Sequence, residues 1–295
     1  MKKPLVFRGV ATALATPFTK NGIDYLAFAK IIDFQLKNGA DALVVCGTTG
    51  ESSTLSDGEK RELIEFTVKQ VRSRVPVIAG TGSNDTKRAA SLSEFAARAG
   101  ADALLVVTPY YNKCTQGGLL EYYNTVSDAS GLPFIVYNVP SRTGMKIEPE
   151  TALKIAENEL AAGIKDAGDS ISDTARIALL CGDALPIYSG NDDRVLPMLS
   201  LGAQGVISVM SNIIPMQTKQ LCSLFFDRRI DESLALQGEL MGLVEALKCE
   251  LNPIPIKYAL SEMGFCENRV RSPLCALAPE KALALRQKMR EIGLL

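Results

Sequence analysis

The chain has 295 residues, with 32 Lys+Arg against 33 Asp+Glu, seven Cys, no Trp and no His. Without imidazole there is no Ser-His-Asp triad, no Cys-His pair and no HExxH zinc site, so any proton transfer falls to Lys, Tyr, carboxylates, hydroxyls or water. A formal net charge of −1, with no basic cluster longer than a pair, argues against a nucleic-acid or anionic-membrane surface.

The length fits one large barrel or two ordinary domains, and a chain of this size buries roughly 75% of its unfolded surface. Met1-Lys2-Lys3 before an apolar run is reminiscent of an export signal. Arg8 interrupts that run, however, and Val10–Phe18 reads as the first strand. Further short apolar runs follow at Ala42–Cys46, Val75–Ala79, Ala103–Val107, Pro133–Tyr137, Ala162–Lys165, Leu185–Tyr188 and Gly205–Val209. They are continuously apolar rather than alternating, as strands covered on both faces are. Their starts lie about 20 to 33 residues apart, room for a loop and a helix in most units. Between them, Tyr25–Gly39, Asp57–Val71, Thr86–Gly100 and Gly118–Ser130 carry helical periodicity, and Gly39, Gly100 and Gly131 stand where helices stop.

Eight alternations of this kind predict an α/β fold of the (β/α)8 TIM-barrel type, with a doubly wound open sheet as the alternative. Gly80-Thr81-Gly82 is a lone GxG, and neither a GxGxxG nor a Walker A sequence occurs, which weakens the dinucleotide-binding version. After the eighth run, Asp231–Cys249, Pro255–Met263 and Pro279–Ile292 read as helices divided by Asn-Pro and Ser-Pro breaks. The expected organisation is a barrel over residues 1–225 and a C-terminal helical extension, residues 226–295, packed on it. No apolar stretch reaches the roughly 18 residues of a membrane span. The cysteines contain no CxxC and read as buried free thiols of a reducing cytoplasm rather than metal ligands.

Barrel enzymes assemble their sites at the C-terminal ends of the strands. Lys165 ends an apolar run there, and desolvation of such an amine leaves a neutral, nucleophilic fraction suited to imine formation. A lysine that snorkels to the rim, or pairs with Asp166, is the plainer alternative. Tyr137 offers a hydroxyl for proton transfer, or simply an aromatic core residue. Gly47-Thr48-Thr49-Gly50 offers a turn whose amides suit a small carboxylate, or only a tight turn. Arg142, in a loop bounded by Pro140 and Gly144, has the guanidinium fork for a second carboxylate, though most loop arginines are merely solvated. Together these groups suit carbonyl chemistry on an acid through an imine.

GTTGES (Gly47–Ser52), TPYYN (Thr108–Asn112), YNVPSRTG (Tyr137–Gly144) and GIKDA (Gly163–Ala167) make the chain resemble the 4-hydroxy-tetrahydrodipicolinate synthase family, also called dihydrodipicolinate synthase. The likeness runs from Thr16-Pro17 through Gly205–Ser208 and Asn252–Pro255 to the C-terminus. It implies condensation of pyruvate with L-aspartate 4-semialdehyde on the way to diaminopimelate and lysine, with no metal or organic cofactor. It implies that Lys165 forms the pyruvate imine and that Tyr137, Thr48 and Tyr111 relay protons, Tyr111 being lent by a neighbouring subunit. Thr49 would hold the pyruvate carboxylate and Arg142 that of the semialdehyde, while Gly190 and Ile207 shape the pocket. A homotetramer built as a dimer of dimers is implied as well.

Gly168-Asp169 and Asn191 depart from the usual pattern without removing an assigned role. Asp57 and Lys60 stand where lysine-inhibited relatives have His, and Arg88 where they have Glu, which implies insensitivity to L-lysine. The competing readings are another pyruvate-dependent aldolase of the same superfamily (an N-acetylneuraminate lyase or keto-sugar-acid aldolase) and a non-catalytic barrel that binds a small acid. Arg142 with the Tyr110-Tyr111 pair favours the synthase.

Overall fold

A computed structural model describes residues 3–295; Met1 and Lys2, at the head of the signal-like start, lie outside the described residues. The eight apolar runs form eight parallel strands. They are β1 Gly9–Ala13, β2 Ala42–Val45, β3 Val77–Gly80, β4 Ala103–Val107, β5 Phe134–Asn138, β6 Ala161–Asp166, β7 Ile187–Ser189 and β8 Gly205–Ser208. Each pairs with its neighbours in chain order, and β8 returns to β1 through Gly9↔Gly205 and Val10↔Val206, which closes the barrel and excludes the open sheet. At that seam a Cβ on Gly205 would overlap the carbonyl of Gly9, so the closing pair needs glycine.

Twelve helices surround the barrel among the described residues. Before the C-terminal region they are α1 Tyr25–Lys37, α2 Asp57–Val71, α3 Thr86–Arg98, α4 Gln116–Ser130, α5 Pro140–Thr143, α6 Pro149–Ala156, α7 Ile171–Cys181, α8 Val195–Ser200 and α9 Pro215–Phe226. Local sequence sets their ends. Asp24, Asp85, Thr115 and Ser170 cap α1, α3, α4 and α7, and Ser56 with Glu59 forms a capping box on α2. Then follow α10 Ile230–Leu247, α11 Ile254–Glu262 and α12 Pro279–Glu291, of which α10 packs on both α9 and α12.

Strand alternation divides the core into two layers. On β2, Ala42 and Val44 face the lumen while Leu43 and Val45 face the helices; on β5, Ile135 and Tyr137 point in while Phe134 and Val136 point out. Ile164 of β6 lies in the outer layer, which turns Lys165 into the lumen. Phe7, stacked on Tyr188 with ring centres 4.3 Å apart, plugs the opposite end.

Two expectations need correction. The first strand ends at Ala13, not Phe18. Beyond Ala13, the Asn212 carboxamide accepts from the Ala15 amide (3.1 Å) and donates to the Ala13 carbonyl (2.8 Å), in place of a strand partner. Phe18-Thr19 instead forms a small antiparallel pair with Gly22-Ile23. The seven thiols are free, but only Cys46, Cys181 and Cys222 are buried; Cys275 is exposed.

Candidate active site

A cavity of about 580 Å³ opens at the C-terminal ends of the strands. Lys165, Tyr137, Thr48, Thr49, Arg142 and Gly190 all line it. An adjoining cavity of about 360 Å³ shares Thr48, Tyr137 and Arg142 and adds Tyr110.

Lys165 is 4% exposed and sits beside Tyr137 in the β5–β6 register, its ammonium 4.3 Å from the centre of the Tyr137 ring. It does not pair with Asp166. That carboxylate turns to the other face and is saturated by the Asn138 amide (2.9 Å), the Gly168 amide (3.0 Å) and the Thr174 hydroxyl (2.5 Å). Nor does it snorkel, since its end lies inside the lumen among buried groups. An amine placed so is free for covalent chemistry.

The Gly47–Glu51 turn follows β2. The amides of Gly50 and Glu51 close it on the carbonyls of Gly47 and Thr48 (both 3.1 Å). The amides of Thr48 and Thr49 have no acceptor among the described residues, which suits the turn to an anion. Glu51 is not among the residues lining the larger cavity and pairs with Lys257 of α11 at 2.6 Å, the two side chains 1% and 0% exposed.

Arg142 stands on the one-turn helix α5, not in an open loop as expected. Pro140 starts that helix and Gly144, at φ 64°, ends it. Its guanidinium donates to the carbonyl of Asn252 at 3.0 Å. Gly190 lies where a Cβ would stand 2.7 Å from that of Ala167 and 3.0 Å from the Asp166 carbonyl, so only glycine leaves this wall open. Ile207 belongs to the inner layer beneath the cavity, and Val209 rather than Ile207 forms the cavity wall after β8. Tyr111 is 92% exposed at φ 69° and does not line the cavity of its own chain.

Two residues to which sequence reading gave no role also stand here. Asp192 accepts from the amides of Val209 (3.0 Å) and Met210 (2.8 Å) and fixes the turn after β8. Burial pushes its carboxyl above the usual range, opposed by the Ser208 hydroxyl, those two amides and the charge of Lys165. Asn252 reaches Thr49 from the C-terminal region, its side-chain amide 3.1 Å from the Thr49 hydroxyl. Its sequence signals were the Asn-Pro pair, read as helix punctuation, and its place in the Asn252–Pro255 segment of the family likeness, to which no role was attached.

The described residues contain no cluster of three or more His, Cys, Asp or Glu side chains placed to hold a metal ion, and no helix long and apolar enough to cross a membrane. Comparison with known proteins places the whole chain in one family. The pattern of the Dihydrodipicolinate synthetase family matches residues 6–292. A 4-hydroxy-tetrahydrodipicolinate synthase of Acetivibrio thermocellus is 45% identical over 295 residues, the whole of both chains. One from Clostridium perfringens is 45% identical over 290 residues, 98% of this chain and all of that one. The crystal structure of dihydrodipicolinate synthase from Thermotoga maritima superposes with a TM-score of 0.96 at 42% identity, covering 98% of this chain and 100% of that one. The chain belongs to the dihydrodipicolinate synthetase family.

Proposed function

We propose that the cavity condenses pyruvate with L-aspartate 4-semialdehyde to give 4-hydroxy-tetrahydrodipicolinate, the lyase reaction that leads toward diaminopimelate and lysine. The observation that carries this reading is the lumen-facing Lys165, free of any ion pair, on one cavity with Arg142 and with a turn whose Thr48 and Thr49 amides are left open. Neutral Lys165 attacks the ketone carbon of pyruvate; water leaves, and the cationic imine acidifies the methyl group. Loss of a methyl proton gives a neutral enamine in place of a high-energy enolate. The enamine carbon attacks the aldehyde, and the amine of that substrate then attacks the imine carbon, closes the ring and expels Lys165.

Thr49 and the free amides beside it hold the pyruvate carboxylate, and Arg142 takes the carboxylate of the semialdehyde. Gly190 keeps the wall thin, and Ile207 supports the floor. Tyr137 and Thr48, both on the cavity, move protons. Tyr111 projects outward on the rim, as a residue that completes the relay in a neighbouring copy does. That arrangement suits a homotetramer, a dimer of dimers, working in the cytoplasm, where seven free thiols stay reduced. The acid–base work needs no histidine. The C-terminal residues, 226–295, supply one wall of the cavity through Lys248–Asn252.

Borohydride reduction with pyruvate followed by peptide mass spectrometry tests the reading. An adduct on Lys165, absent in Lys165→Ala, is expected; an adduct elsewhere, or none, refutes it. Condensation with the semialdehyde, measured against cleavage of sugar acids, separates the synthase from the sugar-acid aldolases.

A further inference from the structure

Asn252 lies between α10 and α11, far in sequence from the turn it touches. Its side-chain amide group donates to the Thr49 hydroxyl oxygen at 3.1 Å, and its main-chain carbonyl accepts from Arg142 at 3.0 Å. One residue of the C-terminal region therefore contacts both groups assigned to substrate carboxylates. Its Oδ1 is buried without a hydrogen-bond partner. A buried orphan acceptor is an uncompensated desolvation, and an apolar residue of similar volume would avoid it. Stability alone does not account for an asparagine at this position.

The direction of the hydrogen bond matters. A threonine hydroxyl has one proton to donate and lone pairs to accept with, whereas an amide NH2 can only donate. With Asn252 donating to it, the Thr49 oxygen serves as acceptor on that side, and its own proton must go elsewhere. Thr49 is 2% exposed and lines the cavity, so that proton is directed to whatever occupies it. We infer that Asn252 is a positioning residue for pyruvate: it holds the Thr49 hydroxyl as a donor toward the carboxylate and, through the carbonyl of the same residue, sets the place of Arg142. The inference rests on the assignment of Thr49 to the pyruvate carboxylate.

Asn252→Asp tests it, because it keeps the shape but turns the donor into an acceptor. A carboxylate at this position takes the Thr49 proton, and the hydroxyl then presents lone pairs to pyruvate. The readout is the pyruvate concentration that half-saturates borohydride trapping, which needs no second substrate. Asn252→Asp should raise it about tenfold or more, since a charge-assisted hydrogen bond is lost. The KM for the semialdehyde should change far less, because the carbonyl that holds Arg142 is retained. In a Thr49→Val background the same substitution should have little further effect. A rise of equal size in that background would mean that the introduced carboxylate acts by charge repulsion or distortion, and would overturn the inference. So would an Asn252→Asp enzyme that binds pyruvate normally, which would mean that the wild-type carboxamide accepts rather than donates. If Thr49→Val alone leaves pyruvate binding unchanged, the assignment of Thr49 itself fails, and the inference fails with it. Thermal melting of each variant confirms that folded protein is being compared.

Discussion

The Glu51–Lys257 ion pair offers the sharpest test of how the C-terminal helices support the cavity. Both side chains are sealed from solvent, with Lys257 Nζ 2.6 Å from one Glu51 oxygen and the Arg271 amide 2.8 Å from the other. The Lys257 ammonium also lies 4.1 Å from the centre of the Phe18 ring. Burial lowers the pKa of Lys257 from its usual 10.5, and the Glu51 carboxylate opposes that shift. Lys257→Met keeps the apolar stem against Phe18 and removes only the charge. Glu51 is then a buried carboxylate with the Arg271 amide as its one remaining hydrogen-bond donor and the Arg271 charge as its nearest cation. Breaking such a pair costs about 3–5 kcal/mol, a large part of the roughly 5–15 kcal/mol that holds a domain together. At about 2–4 °C per kcal/mol, Tm should fall by about 10 °C. Because the Glu51 amide donates to the Thr48 carbonyl, the turn proposed to receive pyruvate should loosen too, and trapping should weaken.

The double variant Glu51→Gln/Lys257→Met separates charge from packing. With both charges removed no uncompensated ion remains, and most of the loss should be recovered, giving a coupling of about 2 kcal/mol or more in a double-mutant cycle. Denaturant unfolding followed by circular dichroism and tyrosine fluorescence measures it, since the chain has no Trp. A Lys257→Met protein within about 1 kcal/mol of wild type, or a double variant no more stable than the single one, would refute the reasoning.

Three further outcomes follow from the same contacts. Gly190→Ala should cut pyruvate trapping at least about tenfold while costing about 1–3 kcal/mol of stability, because its methyl meets the Asp166 carbonyl and the Ala167 Cβ rather than a flexible side chain; unaltered trapping would show that this wall has slack. Glu59 is held down to about 2 by the Arg271 guanidinium, so its contribution is complete above its ordinary 4.5 and is lost as pH falls from there toward 2. Glu59→Gln should therefore lower stability at neutral pH and flatten the acid limb of a Tm–pH profile; a parallel profile would remove the ion pair from the account. Arg88 occupies the Asp57 carboxylate at 3.0 Å and would repel an added ammonium group, so millimolar L-lysine should leave the steady-state rate unchanged, and inhibition at micromolar L-lysine would refute this.

How far the sequence revealed these features depended on the range of the interaction. Lys165 drew attention alone, because an amine at the end of an apolar run contradicts its surroundings, but the choice between a rim lysine and a reactive one needed its neighbours and the family likeness. The strands were legible because burial on both faces leaves a local trace in residue type. Helix α5 was missed because the four residues Pro140–Thr143 are too few to show a period.

The partners of the Gly47–Glu51 turn left no trace of either kind. Asn252 meets Thr49 across 203 residues and Lys257 meets Glu51 across 206, contacts that exist only once the barrel has closed and α10 has carried the chain back over the strand ends. Asn252 beside Pro253 looks like any helix break, and Lys257 looks like any lysine of an amphipathic helix until its burial is known. Residue type can announce a nucleophile that stands out from its neighbours. The groups proposed here to aim the substrate at it are ordinary where they stand in the chain, and it is barrel closure that brings them to the cavity.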